Sequence, residues 1–265
     1  MEANTENENL NNAVILDFPP LPEEKDYVVC YVDFLGSKRN IDQMGEKSFF
    51  ENVHDAFAFA LNFESKLKIF GDLQFKVFSD NILIAHEVPN ISDKEDVYRA
   101  YNNITQFLKS FAPKFIQQGI LFRGGITLGK LAINEVMVWG GALVDVVKIE
   151  ENIAIYPRIV ISQELLNVFA LYDLDEYDFE EKFSCLKDND GCVFVDYVHY
   201  SEPPTAEITI SEGYCAIIEK IRDEDSPKIL QKYYWHKKYL ERAKEIHNDI
   251  SGEYFYIELD NQSVD

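Results

Sequence analysis

YVVCYVDFLGS, residues 27–37, is an apolar run that ends on one acid, Asp33, and then on a turn around Gly36. Its dense Val, Tyr and Phe content predicts a strand over 27–35 covered on both faces. At period two, Tyr31 and Asp33 share a face of that strand. Gly36 permits a tight turn, and the backbone N–H groups of residues 34–37, leading towards a helix, are placed to receive phosphate oxygens. A second acid has a similar setting in FKVFSDNILIA, residues 75–85, where Ser79-Asp80-Asn81 interrupts two strand-like runs. Taken singly, each acid reads as turn chemistry, because Asp before a turn and Ser-Asp-Asn in a hairpin both serve the backbone. Two carboxylates at two strand ends point instead to a metal site.

Working outward, residues 73–78 and 81–87 read as a hairpin in which Lys76 and Asp80, four apart, share a face if the strand is unbroken. Apolar positions at Phe49, Phe50, Val53, Ala56, Phe57, Ala60 and Leu61 recur every three and four residues and predict a helix over 49–70. A second helix is predicted over 92–118, with Ser92 as N-cap, Glu95 completing the capping pattern and Pro113 kinking its last turns. GILFRGGITLG, residues 119–129, reads as a strand with Arg123 beside two glycines. Strand, helix, hairpin, helix, strand is the βαββαβ order of an α+β, ferredoxin-like palm, which brings the first strand's end to the hairpin turn. Beyond it come a predicted helix over 140–152 carrying Lys148, a strand over 158–161 capped at Ser162, and a strand over 193–198. Two helical stretches follow over 208–248, broken near Ser226-Pro227, with Trp235, Tyr239 and Leu240 on an apolar face. The expected division is a flexible arm over 1–25, a core domain over 26–200, and a helical extension over 201–265 packed on the core.

Composition narrows the partners. At 265 residues and 46% hydrophobic the chain can bury a large core, and its net charge of −22 argues against nucleic acid as a partner. No run approaches the roughly 18 consecutive apolar residues of a spanning helix, and the acidic, Asn-rich start is unlike a signal peptide. The expectation is a cytoplasmic protein without a membrane partner. Cys30, Cys185, Cys192 and Cys215 form no C-x-x-C pair, and the histidines show no zinc spacing, so reduced thiols and no zinc chemistry are expected.

Two acids converging at the edge of a palm-like sheet are suited to holding two divalent cations for nucleotidyl chemistry. Over residues 27–166 the order of parts resembles a class III nucleotidyl cyclase domain. VDFLG matches the family's first metal site, which implies Asp33 as ligand, the Phe34 backbone carbonyl on the second ion, and Tyr31, Leu35 and Gly36 among the substrate-binding residues. K-x-x-x-D, residues 76–80, implies Asp80 as the second metal ligand and Lys76 as the residue that reads the base. RGGITLG resembles the family's R-x-G-I-x-x-G strand and implies Arg123 as a catalytic residue. The cofactors implied are two Mn2+ or Mg2+ ions per site.

WGGALVDVVKIEEN, residues 139–152, is similar to the family's W-G-x-x-V-N-x-x-x-R segment with departures. Val144 stands at the Asn position, Lys148 at the transition-state Arg, and Met137 at the adenine-reading Asp. These departures argue against an ordinary purine cyclase. V-D-x-L-G, F-S-D, R-G-x-I-x-x-G and G-x-A-L-V together are more similar to the pyrimidine cyclases of the Pycsar anti-phage systems, in which cyclic UMP or cyclic CMP activates an effector. That resemblance implies UTP or CTP as substrate, UTP ahead of CTP, and a head-to-tail homodimer in which Lys148 of one chain serves the metals of the other. A diguanylate cyclase would need G-G-[DE]-E-F where this chain has FSDNI. A catalytically inactive cyclase-like binding module and a purely structural α/β domain are the remaining alternatives.

Overall fold

A computed structural model describes residues 19–67, 71–198 and 205–251. The elements in chain order are β1 (Lys25–Phe34), α1 (Ser37–Met44), α2 (Glu46–Leu67), the β2 (Gln74–Phe78) and β3 (Asn81–Glu87) hairpin, α3 (Lys94–Phe111), α4 (Pro113–Ile116) and β4 (Phe122–Ile133). After these come β5 (Val138–Trp139), α5 (Gly141–Asn152), β6 (Ile159–Ile161), α6 (Gln163–Phe169), a 3-10 turn (Ala170–Tyr172), α7 (Glu176–Phe183), β7 (Cys185–Lys187) and β8 (Val193–Val195). The C-terminal helical extension consists of α8 (Thr205–Arg222) and α9 (Pro227–Ser251).

One mixed sheet runs in the order β2-β3-β1-β4-β6-β8-β7, with β5 paired to β4. Its first four strands are antiparallel to one another and lie in the ferredoxin-like order, as the sequence predicts, whereas β6 joins β4 in parallel. Register follows from the alternation in β1. Val28, Cys30, Val32 and Phe34 belong to the large core shared with α2, α3 and α4, while Tyr27 and Val29 join Leu83, Ala85, Ala142 and Val146 in a smaller core on the other face. Phe34 is anchored among Phe49, Phe115 and Phe122, with ring centroids 5.8, 4.8 and 6.2 Å away. Burying Phe34 on one face turns its neighbour Asp33 to the other. Gly125 lets α5 approach this second face, since a Cβ there would lie 2.7 Å from Ile149 Cγ2 and 3.1 Å from the Val146 carbonyl.

Several local expectations differ from the structure. The Asp93 carboxylate, not Ser92, caps α3 by accepting from the Glu95 N–H at 2.9 Å. Ser92 uses its own N–H to bond Asn90 Oδ1, which closes the preceding turn. Pro113 starts the separate helix α4 instead of kinking α3, because a proline needs no N–H partner in a first turn. The strand over 193–198 stops at Val195, where the Asp196 carboxylate bonds the Val198 N–H and turns the chain. Lys25 already belongs to β1, and the earlier part of the arm over 1–18 lies outside the described residues, as do 199–204 and 252–265.

The extension is tied to the core by polar contacts under an aromatic layer. Arg158, fully buried, pairs with Asp188 and Asp190. Trp235 Nε1 donates to Asp188 at 2.7 Å and the Tyr239 hydroxyl to Asp196 at 2.7 Å. His236, 1% exposed, has neither ring nitrogen in a hydrogen bond, and burial pushes its pKa down from 6.5 to about 3. The unfolded chain therefore takes up a proton below pH 6.5 that the folded chain refuses until about pH 3, so stability falls as pH drops through that window. We expect His236→Leu to lessen this acid sensitivity, with a gain in relative stability of up to ~1.4 kcal/mol per pH unit below 6.5. Urea denaturation of both proteins at pH 7 and pH 5 checks it, and a difference that does not change with pH would contradict it.

Candidate active site

Asp33, at the end of β1, lies between Asn81 of β3 and Arg123 of β4 in the sheet register. Asp80 is the second residue of the β2–β3 turn, whose first residue, Ser79, takes a positive φ of 57° suited to tight hairpins. The turn is pinned to β1 because the Phe34 N–H donates to the Asp80 carbonyl at 3.0 Å. Ser37 Oγ donates to the Asp80 carboxylate, Asn81 Nδ2 donates to it at 3.2 Å, and the Tyr31 hydroxyl bonds Asn81 Oδ1 at 2.8 Å. Burial raises the pKa of Asp33, Arg123 opposes this, and the charge of Asp80 raises it further. Burial and the surrounding acids, Asp33 first among them, push the Tyr31 hydroxyl up to about 12, so it remains a donor near neutrality.

Glu150 was missed by the sequence reading. It is 5% exposed on α5, with Arg123 Nη2 2.5 Å from its carboxylate and Arg123 Nε 3.6 Å from Asp33. The ion pair is close but imperfectly aligned, and Arg123 Nε and Glu150 Oε1 are buried without a hydrogen bond. A signal existed, since Glu150 falls four residues after Val146 and eight after Ala142, on the apolar stripe of the helix. The end of α5 thus lies over the sheet edge that carries Asp33, closer than chain order indicates. Lys148 nevertheless turns outward, with 64% of its side chain exposed and Asp145 3.3 Å away.

The strand carrying Lys76 ends at Phe78, so Lys76 and Asp80 do not share an unbroken strand. Lys76 instead stands in register with Leu83, which faces Tyr31, two strands or ~10 Å across the sheet from β1. Its ammonium donates to the Glu135 carbonyl, beside a cleft of about 490 Å³ bounded by Gln74, Lys76, Ile133 and Asn134. Met137 closes the same β4–β5 connection, where its carbonyl accepts from the Asn134 N–H at 3.0 Å.

The expected phosphate-binding amides are only partly free. Phe34 N–H serves Asp80, and Leu35 N–H donates to the Leu121 carbonyl at 2.8 Å, because sheet pairing continues to the strand's last residue. Gly36, left-handed at φ 67°, starts α1, and the first amides of that helix face no acceptor of their own helix. Lys232 of α9 is another residue missed by sequence reasoning. It lies within electrostatic reach of Asp33, Glu150 and Arg123, and its pKa is lowered by burial, by Arg123 and by Lys228.

Among the described residues, no three or more His, Cys, Asp or Glu side chains gather as a metal site. Asp33 and Asp80, two hard-oxygen donors at one edge, nonetheless suit Mg2+ or Mn2+, which take one or two carboxylates and complete their shells with water and substrate phosphate. Their present partners, Arg123 and Ser37, are a cation and a hydroxyl that can yield to such an ion. No helix among the described residues is long and apolar enough to cross a membrane.

Neither a protein-family model nor a curated protein matches the chain. Among solved structures, the adenylyl cyclase CyaB from P. aeruginosa is similar at 16% identity, over 56% of this chain and 82% of that one, with a TM-score of 0.43. The monomeric guanylyl cyclase domain of the RhoGC fusion protein from Blastocladiella emersonii is similar at 14% identity, over 66% of this chain and 98% of that one, with a TM-score of 0.44.

Proposed function

We propose that this chain is a nucleotidyl cyclase that converts UTP, or CTP, to the 3′,5′-cyclic nucleotide and pyrophosphate. The observation that carries this reading is the pinning of the Asp80 turn to the end of the Asp33 strand, which sets two carboxylates at one edge of a ferredoxin-like sheet. Asp33, Asp80 and the Phe34 carbonyl are the residues that would hold two Mn2+ or Mg2+ ions. When bound, such ions activate the ribose 3′-hydroxyl and neutralise charge on the departing pyrophosphate.

The chain's own residues divide the remaining work. Tyr31, Leu35 and Gly36 line the substrate beside the metal edge, and Arg123, held between Asp33 and Glu150, offers positive charge where the triphosphate lies. Lys76 donates towards the base, and a lysine donor suits a pyrimidine carbonyl, whereas Met137 cannot accept from the amino group of adenine. Lys148, turned away from its own Asp33, acts on the site of a second copy in a homodimer, a pairing that also covers Trp139 and Val144, 79% and 53% exposed. The resemblance to Pycsar cyclases extends the reading to a second messenger of anti-phage defence.

Incubation with each of the four ribonucleoside triphosphates and Mn2+, with products identified by mass, tests the reading. We expect UTP or CTP to exceed ATP and GTP by about a hundredfold or more, as a site built to hydrogen-bond one base discriminates. Efficient cyclic AMP synthesis would contradict the base assignment. Nucleotide binding without any product would favour an inactive binding module, for which the engagement of Asp33 and Asp80 by Arg123 and Ser37 is the supporting observation.

A further inference from the structure

Behind the Gly36 turn lies a cavity of about 150 Å³. Leu35, Gly36, Asn40 and Leu121 line it together with Ile229 and Lys232 of α9. The space is below the ~300 Å³ at which pockets for drug-sized ligands begin, so it is too small for a nucleoside, and Lys232 is the cationic side chain in an otherwise largely apolar lining that could meet a phosphate group at its mouth. Lys232 is only partly exposed there, within electrostatic reach of Arg123, Asp33 and Glu150, and Lys228 lies one turn earlier on the same helix.

This gathering of cations is unusual in a chain with 25 Lys and Arg against 47 Asp and Glu. Arg123 and Lys232 repel one another in a partly desolvated place, and the nearby acids offset this only while they remain uncommitted. With Glu150 committed to Arg123 and Asp33 to a cation, the charge of Lys232 is left facing the cavity. We infer that Lys232 binds the terminal phosphates of the nucleoside triphosphate over the Gly36 turn, within the same chain as Asp33. The helical extension is then a wall of the active site and not an appendage. The inference rests on the cyclase reading above, and it adds a cation from the chain's own C-terminal helix to the Lys148 of the second copy.

Calorimetric titration with inorganic tripolyphosphate and Mg2+, and separately with UTP and CTP and Mg2+, tests it on the full chain and on Lys232→Met, Lys232→Gln and Lys232→Arg. Loss of one charge-assisted hydrogen bond predicts about ten- to a hundredfold weaker binding of tripolyphosphate and nucleotide alike in the Met and Gln variants, with KM raised by the same factor. The Arg variant should recover most of the affinity, and thermal unfolding identifies any variant that has lost its fold. Two neutral replacements guard against one folding poorly. If the wild-type chain binds nucleotide and both neutral variants bind it equally well, the inference is overturned and the cyclase reading stands. If the wild-type chain neither binds nor converts any nucleoside triphosphate, the cyclase reading fails and the inference with it.

Discussion

Asp33→Asn and Asp80→Asn are each expected to lower cyclisation by about a thousandfold or more without lowering thermal stability. Each change removes one charged oxygen donor while keeping the side chain's size, so the ion site weakens and the backbone around it does not change. Metal-ion catalysis supplies several kcal/mol of transition-state stabilisation, which corresponds to about three orders of magnitude in rate. The stability half of the result follows from the burial of Asp33, which raises its pKa in the folded chain. Between the unfolded and folded values the native state holds the proton more tightly, so the stability this group contributes falls as pH rises through the folded value. At neutral pH the ionised carboxylate is therefore a cost that asparagine removes. Single-turnover assays with melting curves at pH 7 and pH 5 check both halves. The Asp33→Asn variant should be at least as stable as the parent at pH 7, with the difference shrinking as pH falls through the folded value of Asp33. Activity above a few per cent in either variant would contradict the two-metal assignment.

The second large effect is complementation between two dead proteins. On the proposed homodimer, Asp80→Asn destroys the ion site of its own chain and Lys148→Ala disarms the site of the opposite chain. A mixed dimer then has one site carrying both lesions and one carrying neither. Half of the dimers are mixed if subunits pair at random, and each has one working site of two, so up to about a quarter of full activity should return. The structure gives this experiment its motive, because α5 passes over the sheet edge with Glu150 inward and Lys148 outward. Two residues along a helix turn a side chain by roughly 200°, so both cannot serve one site from one chain. If subunit exchange is confirmed and no activity returns, each site is complete within one chain.

The βαββαβ core was legible because its signals are local. Period-two alternation in β1, three-and-four spacing in α2, and turn residues at Ser79-Asp80 each reflect contacts between residues a few positions apart. The same locality identified Asp33 and Asp80 as acids at strand ends, and the split βαβ order brought those ends together without further information. Strand pairing was inferable for the same reason, since the ferredoxin-like order follows from the sequence of element types.

What only tertiary structure decided involves contacts between residues distant in sequence. The apolar stripe of α5 marks Glu150 as inward-facing, but its partner is fixed only when β4 places Arg123 against it. Lys232 sits in an extension of otherwise ordinary helical pattern, and nothing near it in the chain announces that α9 meets the Gly36 turn. The availability of backbone donors was likewise decided by pairing, as Phe34 and Leu35 give their N–H groups to Asp80 and Leu121, residues 46 and 86 positions away by subtraction of their numbers. The physical reason is common to all three: periodicity and turn chemistry report the free energy of forming an element, whereas the charge and hydrogen bonds of a site depend on which elements then pack together.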